Sequence, residues 1–233
     1  MSDPEDLPGR LRAALAPHGL APRGVSVFGD DGQGPDLGNG LRAAAVVLVG
    51  HGGGTLWPVF RAWQERQADH GGSDPLDAWS KAVVAPIAAA FSATAFFPSD
   101  PPYQPFQQWA MRAEGLRASP LGILIDPVYG LWHGFRAALA FATWEGAASA
   151  WPQQLHPCEN CIEKPCLTRC PADAVSIDRF DVPACRSHLS TDAGAAGCMQ
   201  SGCVARLACP VGAGYAYGHD QARFHMRALT RLI

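Results

Sequence analysis

All eight cysteines of this 233-residue chain lie beyond residue 157 and fall into two groups. The first is Cys158-x2-Cys161-x4-Cys166-x3-Cys170-Pro171. The second is Cys185 followed by Cys198-x4-Cys203-x5-Cys209-Pro210. Thiolate is a soft ligand, and eight thiols in two runs that each close with Cys-Pro are a donor set for two four-thiolate [4Fe-4S] clusters. Disulfides explain the pattern poorly, because a disulfide framework marks small, Cys-dense secreted domains and not a chain with a long cysteine-free first part. Two zinc sites are the other chemistry open to these ligands, although four-cysteine zinc sites commonly use two separated C-x2-C pairs.

Other residues invite a chemical reading beside a structural one. Arg136 sits in the apolar stretch Phe135 to Phe141, where a buried guanidinium either faces a cofactor or substrate or belongs to a structural ion pair. Tyr129 and Trp132 either wall the face of a flat cofactor or fill the core. Gly50-His51-Gly52-Gly53-Gly54 permits close backbone approach, but it lacks the spacing of a nucleotide-binding loop and reads as a tight turn. His133 alternates with Trp132, so on a strand only one of the two faces a shared pocket. His219 and His225 read as surface or interface histidines. Arg223, Arg227 and Arg231, at four-residue spacing, read as a solvated helix face.

The elements that must position these groups follow from periodicity. Leu7 to Ala16 has helical apolar spacing, and Gly24 to Phe28 alternates like a strand. Ala43 to Val49 is a continuous apolar run, hence a buried strand, followed by helices over Thr55 to Ala68 and Pro75 to Phe91, the latter containing Pro86. A strand is expected at Thr94 to Phe97, a helix at Gln104 to Leu116, a strand at Leu121 to Ile125, and a strand or buried helix at Leu131 to Phe141. The amphipathic stretch Asp220 to Leu232 reads as a helix that packs, with Tyr215 and Tyr217, the cysteine-bearing part onto the first domain. Six of the seven tryptophans precede residue 150 while every cysteine follows it, which places a domain boundary near Trp151-Pro152.

Composition sets the remaining bounds. A hydrophobic content of 48% supports a sizeable core, and the formal charge of -3 offers no basic stripe for nucleic acid. The start of the chain, Met1-Ser2-Asp3-Pro4-Glu5-Asp6, has no basic and apolar leader, and no apolar run is long enough for a membrane span, so a cytoplasmic protein is expected.

Both halves resemble known families. The cysteine pattern is similar to bacterial two-cluster ferredoxins, in which the last cysteine of each run ligates the other cluster. That resemblance implies Cys158, Cys161, Cys166 and Cys209 on one cluster, and Cys170, Cys185, Cys198 and Cys203 on the second. Pro171-Ala172-Asp173-Ala174-Val175-Ser176 resembles the ferredoxin turn into a short strand that covers a cluster with apolar side chains. The segment Cys185-Arg186-Ser187-His188-Leu189-Ser190-Thr191 resembles the equivalent stretch of epoxyqueuosine reductases and, more distantly, corrinoid reductive dehalogenases. The segment Gly122-Ile-Leu-Ile-Asp-Pro-Val-Tyr-Gly-Leu-Trp-His-Gly-Phe-Arg136 resembles the tryptophan motif of the CblC-type cobalamin-processing proteins, with Pro127, Gly130, Trp132 and Arg136 matching and Tyr129 in place of Phe.

These resemblances imply an α+β protein: a nitroreductase-like α/β domain over residues 1–150 that binds a corrinoid, followed by a ferredoxin-type two-[4Fe-4S] domain over residues 151–233. Tyr129, Gly130, Trp132 and Arg136 would form the corrin or thiol pocket. The family's histidine near the corrin has Arg112 or Met111 at the nearest position here. The implied activity is that of an oxidoreductase that reduces bound cobalamin (vitamin B12), for upper-ligand removal or activation, with electrons from its own clusters. A flavodoxin or ferredoxin reductase type donor and a cobalamin-accepting protein would be its partners. Two alternatives stay open: cobalamin-dependent reduction of an organic substrate, for which no acidic proton donor stands out, and an electron-transfer ferredoxin whose accessory domain binds a partner or a flavin.

Overall fold

The computed structural model describes residues 7–29, 33–38, 40–146 and 156–231, so the boundary expected near Trp151-Pro152 lies outside the described residues. The chain is α+β. Its strands are β1 (Ala21–Val27), β2 (Ala45–Gly52), β3 (Thr94–Phe96), β4 (Arg117–Ala118), β5 (Leu124–Ile125) and β6 (His133–Phe141). The helices of the first half are α1 (Leu7–Leu15), α2 (Trp57–Glu65), α3 (Pro75–Ala90) and α4 (Phe106–Glu114). Those of the second half are α5 (Pro165–Thr168), α6 (Val182–Leu189), α7 (Asp192–Ala196), α8 (Cys198–Ser201), α9 (Val204–Leu207) and α10 (His219–Arg231). None is long and apolar enough to cross a membrane.

Two compact units result. The first comprises Met1–His51, Thr55–Gly115 and Gly134–Gln153, and the second Gly52–Gly54, Leu116–His133 and Gln154–Ile233. The segment 116–133, grouped with the first region by sequence, therefore folds with the cysteines.

The first unit is organised by an open four-stranded sheet in the order β1-β2-β6-β3. β2 is buried on both faces, as its unbroken apolar run requires, and the buried half of β6 is Ala137 to Phe141. β1 sits at the edge, the place in a sheet that tolerates a proline such as Pro22, and its register with β2 shifts between Pro22 and Val25. That bulge lengthens the strand backwards from the expected start at Gly24. Gly24 itself is a close approach: a Cβ there would come within 2.7 Å of Ala113 on α4. In the same place Arg23 forms a bidentate pair with Glu114, at 2.6 and 3.0 Å, and the Gly24 N–H donates to the same carboxylate at 2.7 Å. Helix α4 stops at Gly115, which takes the left-handed conformation at φ 65°. Trp79 and Phe60 pack edge to face in the core at 5.9 Å.

Two expectations in the middle of the chain change. The strand expected over Leu121 to Ile125 shortens to β5, because Ser119 to Gly122 closes a turn with Gly122 at φ 72°. Leu131 to Phe141 resolves as a strand that starts only at His133, because the Trp132 N–H donates back to the Tyr129 carbonyl at 2.9 Å.

Candidate metal centre

The cysteines of the second unit ride on short elements. Cys166 lies in α5, Cys185 in α6 and Cys198 at the start of α8, while Cys203 immediately precedes α9, and Cys170 and Cys209 follow α5 and α9. Helices of four residues have no stability of their own, so neighbours and caps must hold them. Asp181 caps α6 by accepting from the Ala184 N–H at 2.9 Å, and Thr191 caps α7 through the Gly194 N–H at 3.1 Å. Helix α5 packs against α9, and α8 against α10. The first pairing interleaves the two cysteine runs.

Each set of four thiols lines its own cavity. Cys158, Cys161, Cys166 and Cys209 surround a narrow apolar crevice of about 20 Å³ that also touches Ile125 and Val211. Cys170, Cys185, Cys198 and Cys203 line a larger cavity of about 250 Å³, shared with Phe180, Leu189, Arg206 and Met226. The same division appears in the electrostatics. Burial first, and then the thiols of Cys209, Cys166 and Cys161, push Cys158 up from 9.0 to about 11. Burial and then Cys203, Cys170 and Cys198 push Cys185 up to about 11. Burial also raises Cys166, Cys203 and Cys209, partly offset at Cys203 by the amide N–H groups of Arg206 and Ala205. Crowded thiols that resist ionisation one by one are poised for a cation that neutralises them together.

Four thiols around one cavity are a donor set that zinc and iron–sulfur chemistry both use. A tetrahedral zinc draws its sulfurs to within about 4 Å of one another; among the described residues no group of three or more His, Cys, Asp or Glu is arranged to hold a metal ion. A four-iron core is wider than one ion and holds its thiolates farther apart. The cavity of about 250 Å³ at the second set has room for such a core; the crevice of about 20 Å³ at the first does not, and its four thiols would have to move apart to take one. Apolar cover is present, since Leu121, Ile125, Leu131, Val175 and Ala205 form a buried cluster against Cys158, Cys166, Cys170, Cys203 and Cys209. The short strand expected after Cys170-Pro171 is reduced to a single bridge between Val175 and Phe180, and Val175 is the buried residue it supplies.

Two polar supports went unnoticed in the sequence. His156 accepts the Cys158 N–H on Nδ1 at 3.0 Å, while its Nε2 lies 3.1 Å from the Ala118 carbonyl, which ties the first cysteine loop to β4. Arg206, the sole charged residue between Cys203 and Cys209, lines the second cavity. Only their nearness to cysteines in sequence signals either.

The residues expected to bind a corrin are engaged in packing. Trp132 is 3% exposed, with the Arg206 guanidinium 4.3 Å from its ring centroid and Tyr217 edge-on at 5.2 Å. Tyr129 lies against the backbone of Gly52, where a Cβ would come within 2.3 Å of the ring, and meets Tyr215 at 4.8 Å. Gly130, at φ 59°, is a backbone crossing: a Cβ there would stand 1.9 Å from the Val211 carbonyl oxygen. Asp126 closes this turn by accepting the Val128 and Tyr129 N–H groups at 2.7 and 2.8 Å. Arg136 belongs to the first unit, where it pairs with Asp77 at 3.5 Å. His133 is buried beside Trp132, its Nε2 2.8 Å from the Leu124 carbonyl oxygen. Of the turn expected over Gly50 to Gly54, Gly50 to Gly52 are the end of β2, and the turn begins at Gly53, at φ 58°. Tyr215 and Tyr217 make these contacts within the second unit. Arg227 is exposed and Arg223 half-buried on α10. Of the two residues at the position of the family's corrin-side histidine, Met111 is exposed and Arg112 lies over the Phe28 ring at 5.5 Å.

No protein-family model matches the chain, and no curated protein matches it significantly.

Proposed function

We propose that this chain is an iron–sulfur oxidoreductase whose second unit is a ferredoxin-type electron-transfer module, and whose electrons reduce a corrinoid bound by the nitroreductase-like part. The observation that carries the electron-transfer half is the division of eight cysteines into two quartets, each around its own cavity. Cys158, Cys161, Cys166 and Cys209 would hold one [4Fe-4S] cluster, and Cys170, Cys185, Cys198 and Cys203 the other. Such clusters supply electrons one at a time, which suits stepwise cobalt reduction. The protein's part is to exclude water with Ile125, Leu131 and Val175, to fix the first loop through His156, and to donate the Arg206 and Ala205 amides toward Cys203. The corrinoid half rests on the likeness of Gly122 to Arg136 to the CblC-type motif.

The packing of Trp132, Tyr129 and Gly130, and the pairing of Arg136 with Asp77, favour a second reading: an electron-transfer protein whose other unit serves a partner or a flavin. Anaerobic reconstitution separates the two. We expect about eight irons and as many sulfides per chain, and a corrin that survives desalting after incubation with hydroxocobalamin and is reduced by a reduced flavodoxin-type protein donor only when the clusters are present. Clusters without retained corrin would leave the electron-transfer reading alone. Corrin binding unaltered by both Arg136→Ala and Trp132→Phe would remove those residues from the site.

A further inference from the structure

Arg206 lies three residues after Cys203 and three before Cys209. Its guanidinium carbon stands 4.3 Å from the Trp132 ring centroid and 4.7 Å from that of Tyr217, so the cation is held by two aromatic faces. One terminal nitrogen, Nη2, donates to the Leu131 carbonyl at 2.5 Å. The Nε–H is buried and makes no hydrogen bond, and among the described residues no carboxylate pairs with this side chain. Arg206 is also among the residues that line the cavity of Cys170, Cys185, Cys198 and Cys203, and its backbone N–H serves Cys203. A half-buried guanidinium with an unused donor is costly unless an opposite charge lies near, and the cavity that Arg206 helps to line holds four thiols that become anionic on binding metal.

We infer that Arg206 is a positioning residue for the second centre: a fixed cation, locked between Trp132 and Tyr217, that stabilises the extra negative charge a cluster takes up on reduction. The inference rests on the iron–sulfur reading above. Cluster potentials follow net charge, hydrogen bonds to sulfur and solvent exposure, and a cation held in place without a carboxylate partner acts through the first of these. Its sign is determined. Reduction adds one electron to an already anionic centre, so a nearby positive charge raises the potential, and its removal lowers it. The aromatic clamp matters because it spares the guanidinium the freedom to swing into solvent, where screening would weaken the effect. His188 and His225 line the same cavity, so the comparison belongs at one pH.

The test is a dithionite titration of reconstituted full-length protein, followed by electron paramagnetic resonance, with iron and sulfide counted on each sample. Arg206→Gln keeps a planar donor and removes the charge. At full iron content it is expected to lower one of the two midpoint potentials and leave the other in place, while Arg206→Lys, which restores the charge, recovers most of the shift. Potentials that stay put in R206Q, or a shift in R206K as large as in R206Q, would overturn the inference. Should R206Q fail to take up iron, R206M, which keeps length against Trp132 without charge, carries the same test with the same two outcomes. Wild-type protein that takes up no iron overturns the iron–sulfur reading and this inference together; full iron with unmoved potentials in the variants overturns this inference alone.

Discussion

The two units are stabilised by different means. In the first, β2 and the inner half of β6 are buried apolar strands, helices of nine to sixteen residues cover them, and the buried polar tie of Arg23 to Glu114 is complete within the protein. In the second, every helix before α10 has four to eight residues, and its apolar clusters take in the thiols themselves. A core of short helices around crowded thiols would gain cohesion from a metal centre bound by those thiols, as proposed above, whereas the first unit is held by apolar strands and longer helices.

The largest expected effect follows from that contrast. Removing iron from loaded protein with a chelator should abolish slow amide exchange over 156–231 and leave protection in β2 and β6 intact. Uniform loss across both units would break the comparison. Interleaving of the runs sharpens it: Cys209→Ser should disable the centre of Cys158, although Cys209 lies in the second run, and Cys170→Ser that of Cys185. Each variant should retain about four of eight irons.

Next in size is the tie in the first unit. The side chains of Arg23 and Glu114 are 10% and 3% exposed, so Glu114→Ala strands a buried cation and should cost about 3–5 kcal/mol. Chemical denaturation followed by tryptophan fluorescence of the first unit measures it. The iron content should not change, and a fall in iron alongside stability would break the contrast.

How much of this was legible in sequence tracks the same division. Continuous apolar runs such as Ala45 to Val49 and helical spacing such as Leu76, Trp79, Ser80 and Val84 announce themselves, because their burial is local to one element. The spacing and the ferredoxin likeness gave the same two groups of four cysteines that line the two cavities. Gly130 and Trp132 were not legible: the motif drew attention to them as pocket residues, while their surroundings are Val211, Arg206 and Tyr217, all more than 70 residues away in sequence. Periodicity carries no information about such partners. Nor could it show that Gly52 is a glycine for the sake of the Tyr129 ring.

Gly130 gives a third prediction, intermediate in size. Its φ of 59° alone penalises a side chain by about 1–2 kcal/mol, and the Val211 carbonyl oxygen at 1.9 Å from a Cβ forces the loop after Cys209 to move. Gly130→Ala should therefore weaken the centre containing Cys209 more than the centre containing Cys185. Iron release to a chelator, resolved by the distinct resonance signals of the two clusters, reports it. Equal loosening of both would mean that the crossing supports the unit as a whole.

The smallest effect is a dependence on pH confined to the cysteine-bearing unit. Burial and neighbouring thiols raise Cys158 and Cys185 from 9.0 to about 11. Between those values the unfolded chain has released protons that the folded, iron-free chain retains, so the stability is fully present below pH 9.0 and falls as pH rises toward 11. Both thiols are partly exposed, and solvent screening keeps the slope shallow. Loaded protein behaves with the opposite sign, because its ligands are already thiolates and protons compete for them as pH falls. Denaturation midpoints of iron-free protein between about pH 8 and about pH 10.5 should decline for the second unit, and Cys158→Ser with Cys185→Ser should flatten that decline. The first unit has no cysteine, and no matching decline is expected there.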